Sequence, residues 1–299
     1  MPSSQPPALE KTLFNLSSVQ REIWFEQSLY PETPIYNIGG YTRINGPIDP
    51  GIFRQAITRL VEENEVLRLA LTECDGVPFQ WFPARPEMDL EFSDFSNQEE
   101  PHAAVHAHMQ RQIERPFQIF EEPLCRFALY KVSEHCHIFC YTYHHLTVDG
   151  WGCALIVQRV AALYSALQSG EPLAICPSVS YTEFVKNDAT YLGSASFERH
   201  RSYWGQKFAA LPEPLFAPRI GNSDNLVPGA LHTWWLPRVQ YERIEALAKS
   251  HSVSAFHVFL GVLYVYVTRV WDRDECVIGL PVLNRNTHAF KQTIGLLPV

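Results

Sequence analysis

Apolar residues recur along this chain with both periods that mark regular structure, about 3.6 for helices and about 2 for strands. A helical pattern runs from Ser17 to Ser28, and Gln20, three residues after Ser17, completes a capping box. Asp49-Pro50 opens a second helix with Ile52, Phe53, Ala56, Ile57 and Leu60 on one face. Residues 67–73 and 77–82 read as two strands joined across Cys74-Asp75-Gly76. Residues 99–114 form a polar, histidine-rich helix stopped by Pro116, with His102 and His106 on a solvated face. Residues 124–132 and 137–145 then make an antiparallel pair around Ser133-Glu134-His135. A helix starts at Gly150 or Trp151, turns Leu155, Ile156, Leu163 and Leu167 inward and ends at Gly170. The order helix, strands, helix, strands, helix predicts an α/β sandwich on a mixed sheet.

The second half is less regular. Residues 172–178 are a composition break and a candidate interlobe linker. Helical stretches follow over 181–191 and 197–211, then a linker-like segment over 221–228. Beyond it the pattern predicts a strand over 232–236, a helix from Gln240, an apolar helix from Ser254 and a strand over 276–280. Residues 255–271 are the most apolar segment, but they carry His257, Thr268 and Arg269 and are too short to span a membrane comfortably. They are expected as a buried core helix, with His257 as a satisfied core histidine and Tyr264, Tyr266 and Trp271 in packing roles. The expected division is a disordered start over 1–14, an N-terminal lobe over 15–175 and a partial C-terminal lobe over 176–299.

With 46% hydrophobic and 19% charged residues, the composition is that of a soluble globular protein. The net charge is −8 and no basic block occurs, which argues against nucleic acid as a partner. Seven scattered cysteines fit reduced core residues of a cytoplasmic protein better than a disulfide framework. The start of the chain lacks a basic-then-apolar signal pattern. Cys136 and Cys140 share a strand with His137 and His144 but have no second ligand pair, so no metal site is expected.

The stretch from Tyr143 to Trp151 gathers the chemistry: His144, His145, Asp149 and Gly150 lie at the junction of a strand and a helix. Strand alternation keeps both imidazoles from facing one cavity. His145 is assigned to the reaction cavity and His144 to a supporting position. Asp149 is suited to holding the loop, and Gly150 lets backbone approach a substrate. The helix that begins there turns its positive end toward a developing oxyanion.

These residues match the HHxxxDG signature, and the chain resembles the condensation domains of nonribosomal peptide synthetases, in the chloramphenicol-acetyltransferase-like superfamily. Further motifs occur in the family's order. Leu16-Ser17-Ser18-Val19-Gln20-Arg21-Glu22-Ile23-Trp24 resembles the first, and Glu63-Asn64-Glu65-Val66-Leu67-Arg68 the second, with Glu-Asn where the family commonly has Arg-His. Pro116-Phe117, Pro123-Leu124 and Arg126 fit the segment before the active strand. Tyr181-Thr182-Glu183-Phe184 with Tyr203-Trp204, and then 279–285 with Ile294-Gly295, fit the later regions.

The resemblance implies a two-lobed fold of mixed sheets packed by helices, the second lobe incomplete. It implies that an acyl or peptidyl thioester is joined to the amine of an aminoacyl thioester, both carried on phosphopantetheine arms or coenzyme A, with no tightly bound cofactor. His145 would contact the amine as general base or as a positioning group, and both roles stay open. Asp149 would form a structural pair with Arg285, while Gly150, Trp151 and Tyr143 would shape the substrate tunnel. Implied partners are carrier domains, an acyl-CoA or acyl-carrier donor and an adjacent adenylation domain. The short stretch before the first motif suggests a starter-type domain fed in trans, and the chain's end within the fifth motif suggests a truncated fragment whose activity alone is left open. An O-acyltransferase of the same superfamily and a noncatalytic carrier-binding fragment are the competing readings.

Overall fold

A four-stranded mixed sheet carries the candidate motif at the end of one of its inner strands. The computed structural model describes residues 11–84, 89–173, 178–210, 212–213, 215 and 232–298. The chain divides into two compact units, one formed by residues 1–197 with 281–299 and the other by 198–280. This division differs from the expected boundary near 175. The last segment belongs with the first unit, because Phe290, Ile294, Leu296 and Leu297 are buried in its core.

In the first unit β1 (Phe14–Asn15), α1 (Ser18–Leu29), β2 (Asn37–Asn45) and α2 (Pro50–Glu63) come first. β3 (Ala70–Cys74), β4 (Val77–Trp81), β5 (Leu90–Asp94) and α3 (Pro101–Glu114) follow. Then come β6 (Cys125–Ser133), β7 (Cys136–His144), α4 (Gly150–Ser169) and α5 (Tyr181–Leu192), and α6 (Ala195–Lys207) runs across the boundary between the units. A small antiparallel sheet has the order β1-β4-β3, and the larger one runs β2-β7-β6-β5. In the larger sheet only the β5–β6 pair is parallel.

The helices form where the sequence supplies caps. Ser17 and Gln20 make the reciprocal capping box of α1. The Asp49 carboxylate accepts from Gly51 and Ile52 N–H at the start of α2, with Pro50 in its first turn. Gly170 ends α4 in the left-handed conformation, φ 70°. α2 buries Phe53, Ala56, Ile57 and Leu60, and α4 buries Ile156, Val160 and Leu163, so both apolar stripes face one core.

β7 divides its side chains between two layers, as a strand must. Phe139 and Tyr143 face the main core, where Phe53 meets Phe139 edge-on at 5.1 Å. Ile138 and Cys140 face α3, beside Val105, Met109 and Tyr130. β2 escaped the pattern reading because Gly39-Gly40 interrupt its apolar run. Both glycines lie under neighbouring side chains: a Cβ on Gly39 would press on Ile113, and one on Gly40 would lie 2.5 Å from the Tyr141 ring. Residues 65–68, read partly as strand, form a 3-10 turn instead. There the Arg68 guanidinium donates to the carbonyls of Val61 and Glu62 at the end of α2 and to that of Pro83.

The expected disorder over 1–14 lies outside the described residues up to residue 10, and by Phe14 the chain is paired with β4. The 221–228 linker and residues 174–177 of the interlobe linker also lie outside them.

In the second unit α7 (Arg238–Ser250) and α8 (Ala255–Val270) are joined by a short turn. The strands expected at 232–236 and 276–280 are not formed, since no strand partner lies beside them among the described residues. The expectation that α8 is a buried core helix is overturned: Val267 is its sole buried residue, and Phe256, Val262 and Tyr266 are exposed. Among the described residues of this unit no second layer covers that face. His257 is likewise exposed rather than in a core, and its Nδ1 receives the Ser254 hydroxyl at 2.7 Å, capping α8.

Candidate active site

β7 ends at His144, and the loop from His145 to Asp149 joins it to α4. Apolar burial fixes this loop first: Leu146 and Val148 are fully inside the core. Hydrogen bonds then fix its path. His145 N–H donates to Tyr36 O at 2.8 Å, Thr147 Oγ1 to His144 O at 2.8 Å and Asp149 N–H to Gly295 O at 3.2 Å. Gln20 Nε2 donates to Leu146 O at 2.9 Å, so the residue that caps α1 also holds the loop.

The two histidines have opposite surroundings. His144 is fully buried, while His145 is partly exposed. His144 Nδ1 accepts the Leu146 N–H at 3.2 Å, and its Nε2 lies 3.1 Å from Gln27 Oε1. An imidazole that accepts at Nδ1 and donates at Nε2 is neutral. Burial, with His145 beside it, holds His144 down to about 3.

A histidine depressed in the folded state and ordinary in the unfolded chain binds its proton more readily when unfolded. Its contribution is therefore complete above the unfolded value of 6.5 and is lost as pH falls toward 3. We expect the melting temperature to fall more steeply across that interval in the natural chain than in His144→Gln. Equal slopes in thermal melts of the two would contradict this assignment.

His145 Nδ1 lies 2.9 Å from Val148 O. A backbone carbonyl only accepts, so Nδ1 carries a proton, and in the neutral tautomer this leaves the lone pair on Nε2. The Tyr36 ring is tilted against both imidazoles, with centroids 6.2 Å and 6.3 Å away. Its hydroxyl donates to Glu26 at 2.5 Å, and burial together with that carboxylate pushes it up to about 12.

Asp149 faces away from His145, into a buried polar node. Arg285 Nη2 lies 2.9 Å from its Oδ1 and 2.8 Å from its Oδ2. The same carboxylate accepts Gly152 N–H at 2.7 Å and Leu297 N–H at 3.2 Å. Arg285 Nη1 donates to the carbonyls of Phe290 and Thr293. Both side chains are at most 3% exposed, so their charges are compensated by each other and by backbone dipoles. The node ties residues 285–297 to the first turn of α4. Close packing completes the tie: a Cβ on Gly152 would approach Gly295 O to 3.3 Å, and one on Gly295 the Tyr181 ring to 2.5 Å.

The two tunnel expectations land differently. Trp151 is half-exposed, and its indole donates to Lys291 O at 2.9 Å beside exposed Gly150. Tyr143 is fully buried against Tyr141 and Phe127, its hydroxyl without a partner among the described residues. It shares a strand face with the core residue Phe139, so in this structure it packs rather than lining an open path. Glu63, which stands where the family commonly has Arg, binds Arg159 of α4 through two 2.8 Å bonds. Among the described residues no three His, Cys, Asp or Glu side chains converge to hold a metal ion.

Sequence reasoning missed Gln27 and Tyr36, and saw in Gln20 a cap alone. Gln20 and Gln27 lie two turns apart on the buried side of α1 with Ile23, and amides at such positions were the available signal.

The condensation-domain family model matches residues 10–297, and the chain belongs to that family. A dimodular nonribosomal peptide synthase of Bacillus subtilis (strain 168) is 31% identical over 283 residues, covering 93% of this chain and 12% of that protein. An isonitrile lipopeptide synthase of Streptomyces coeruleorubidus is 30% identical over 273 residues, covering 90% of this chain and 18% of the relative. Among solved structures, a variant of the starter condensation domain of rhizomide synthetase in complex with C8-CoA superposes with a TM-score of 0.82 at 30% identity. That match covers 96% of this chain and 65% of the other. The first condensation domain of the calcium-dependent antibiotic synthetase, with a substrate analogue, gives 0.85 at 25% identity over 96% of this chain and 68% of that one. The fold is therefore the chloramphenicol-acetyltransferase-like fold of condensation domains, and the chain spans a small part of the curated synthetases it matches.

Proposed function

We propose that this chain carries an amide-forming site, in which an acyl thioester is transferred to the amine of an aminoacyl group on a carrier domain. The observation that carries the reading is the His145 ring: partly exposed, its Nδ1–H held by Val148 O, its lone pair left on Nε2. The amine attacks the thioester carbonyl, its excess proton passes to Nε2 or is held there, the C–N bond forms, and the C–S bond breaks to release a thiol that takes up the proton. The N-terminal end of α4, a helix of 20 residues, supplies a positive dipole end for the carbonyl oxygen as charge develops. His144 supports rather than reacts, since its two nitrogens are already engaged.

A starter-type role, with an acyl-CoA or a separate acyl carrier as donor, is supported by likeness to a starter domain solved with C8-CoA. The partners would be carrier domains bearing phosphopantetheine arms and an adjacent adenylation domain, in the cytoplasm. The test is to incubate the protein with octanoyl-CoA and an aminoacyl-loaded carrier and to weigh the carrier. An added acyl mass on the amino group is expected. Acylation of alcohols without acylation of the amine would point to O-acyl transfer instead.

A further inference from the structure

One fully buried amide links His144 to the turn that carries Tyr36. Gln27 is 2% exposed, in the last turns of α1. Its Nε2 lies 2.8 Å from Tyr30 O and 3.2 Å from Thr33 O, and its Oε1 lies 3.1 Å from His144 Nε2.

The proton positions along this path are forced in sequence. Backbone carbonyls only accept, so the side facing Tyr30 and Thr33 is the NH2 and the side facing His144 is the oxygen. An amide oxygen only accepts, so His144 Nε2 carries a hydrogen. His144 Nδ1 faces the Leu146 N–H, which only donates, so that nitrogen carries a lone pair. Two main-chain carbonyls on the α1–β2 connection thus set the tautomer of the first motif histidine through one side chain.

The same connection reaches the second histidine. Thr33 N–H returns to Tyr30 O and Asn37 N–H to Pro34 O, which closes the turn that delivers Tyr36. Tyr36 O receives the His145 N–H, and its ring leans on both imidazoles. Asn37 then pairs with His144 at the start of β2. Gln27 therefore braces His144 from its side chain and His145 from the turn.

We infer that Gln27 is a positioning residue for the histidine pair: it fixes the tautomer of His144 and the turn that holds the His145 backbone, without touching substrate. The inference rests on the proposed amide-forming role of His145 for its effect on rate, but not for its effect on His144.

Two variants test it in the full chain. Gln27→Met keeps the length and removes both functions of the amide. Gln27→Glu keeps an acceptor for His144 and removes the donors to Tyr30 O and Thr33 O. With histidine labelled with nitrogen-15, the natural chain is expected to show His144 neutral, protonated at Nε2 and slow to exchange that proton. In Gln27→Met that exchange should quicken by about tenfold or more, and in both variants kcat should fall by about tenfold or more with acceptor KM within about twofold. A His144 protonated at Nδ1 in the natural chain overturns the inference. So does a folded Gln27→Met whose exchange and kcat are unchanged. If no amide is formed by the natural chain but the His144 signature appears and weakens in Gln27→Met, the placement of Gln27 stands and the reaction assigned to His145 falls.

Discussion

Replacing His145 with alanine is expected to lower the rate of N-acyl transfer by about a hundredfold to ten-thousandfold, the range that a positioned acid–base side chain contributes. The fold should hardly notice. The ring is partly exposed, and the side-chain hydrogen bond it loses, to Val148 O, is worth about 1 kcal/mol in net stability. The loop stays pinned by buried Leu146 and Val148 and by the backbone bond to Tyr36 O. His144→Ala should behave in the opposite way. It opens a cavity in a packed interior and leaves Gln27 Oε1 and the Leu146 N–H without their partner, so stability falls together with rate. Rates measured by carrier mass, beside thermal melts of the same preparations, separate the two roles.

The largest effect on stability is expected at Arg285. Arg285→Ala leaves the Asp149 carboxylate charged, buried and without its counter-ion, a loss of about 3–5 kcal/mol. It also strips a donor from the carbonyls of Phe290 and Thr293, so residues 285–297 lose their anchor on the motif loop. Asp149→Ala carries a similar penalty from the other side and removes the acceptor for Gly152 and Leu297 N–H as well. Removing both charges together with Asp149→Asn and Arg285→Gln should cost clearly less than the sum of the single changes, because no isolated charge is left behind. Denaturant melts of the two singles and the double give that coupling directly. Additive losses would mean that the pair does not act as a unit.

What the sequence could reveal depended on how local the cause was. The capping box at Ser17 and Gln20, the Asp49-Pro50 start of α2 and the Gly170 stop of α4 are local signals, and each stands where the pattern placed it. The strand expected to reach His145 ends one residue earlier, so His144 closes β7 and the loop, not the pleat, turns His145 away from it. β2 was not legible, because Gly39 and Gly40 are there for Ile113 and Tyr141, neighbours that only the folded chain provides. Apolar character misled at α8, where a hydrophobic run implies a covering layer that the described residues do not supply. At the site, the motif marked His144, His145, Asp149 and Gly150, and the resemblance also offered Arg285 as the partner of Asp149, but nothing marked the side chains that fix the histidines. Gln27 reaches His144 directly from α1 and Tyr36 reaches the histidines from the turn that follows, and no spacing rule in a single sequence encodes that approach.

The proposed reaction requires the open nitrogen of His145, and not His144, to meet the amine. It is tested most directly by nitrogen-15 spectra of the histidines while a non-reactive aminoacyl thioester analogue is titrated to saturation. His145 Nε2 is expected to shift on binding, with His144 unmoved. A silent His145 beside a responding His144 would contradict it.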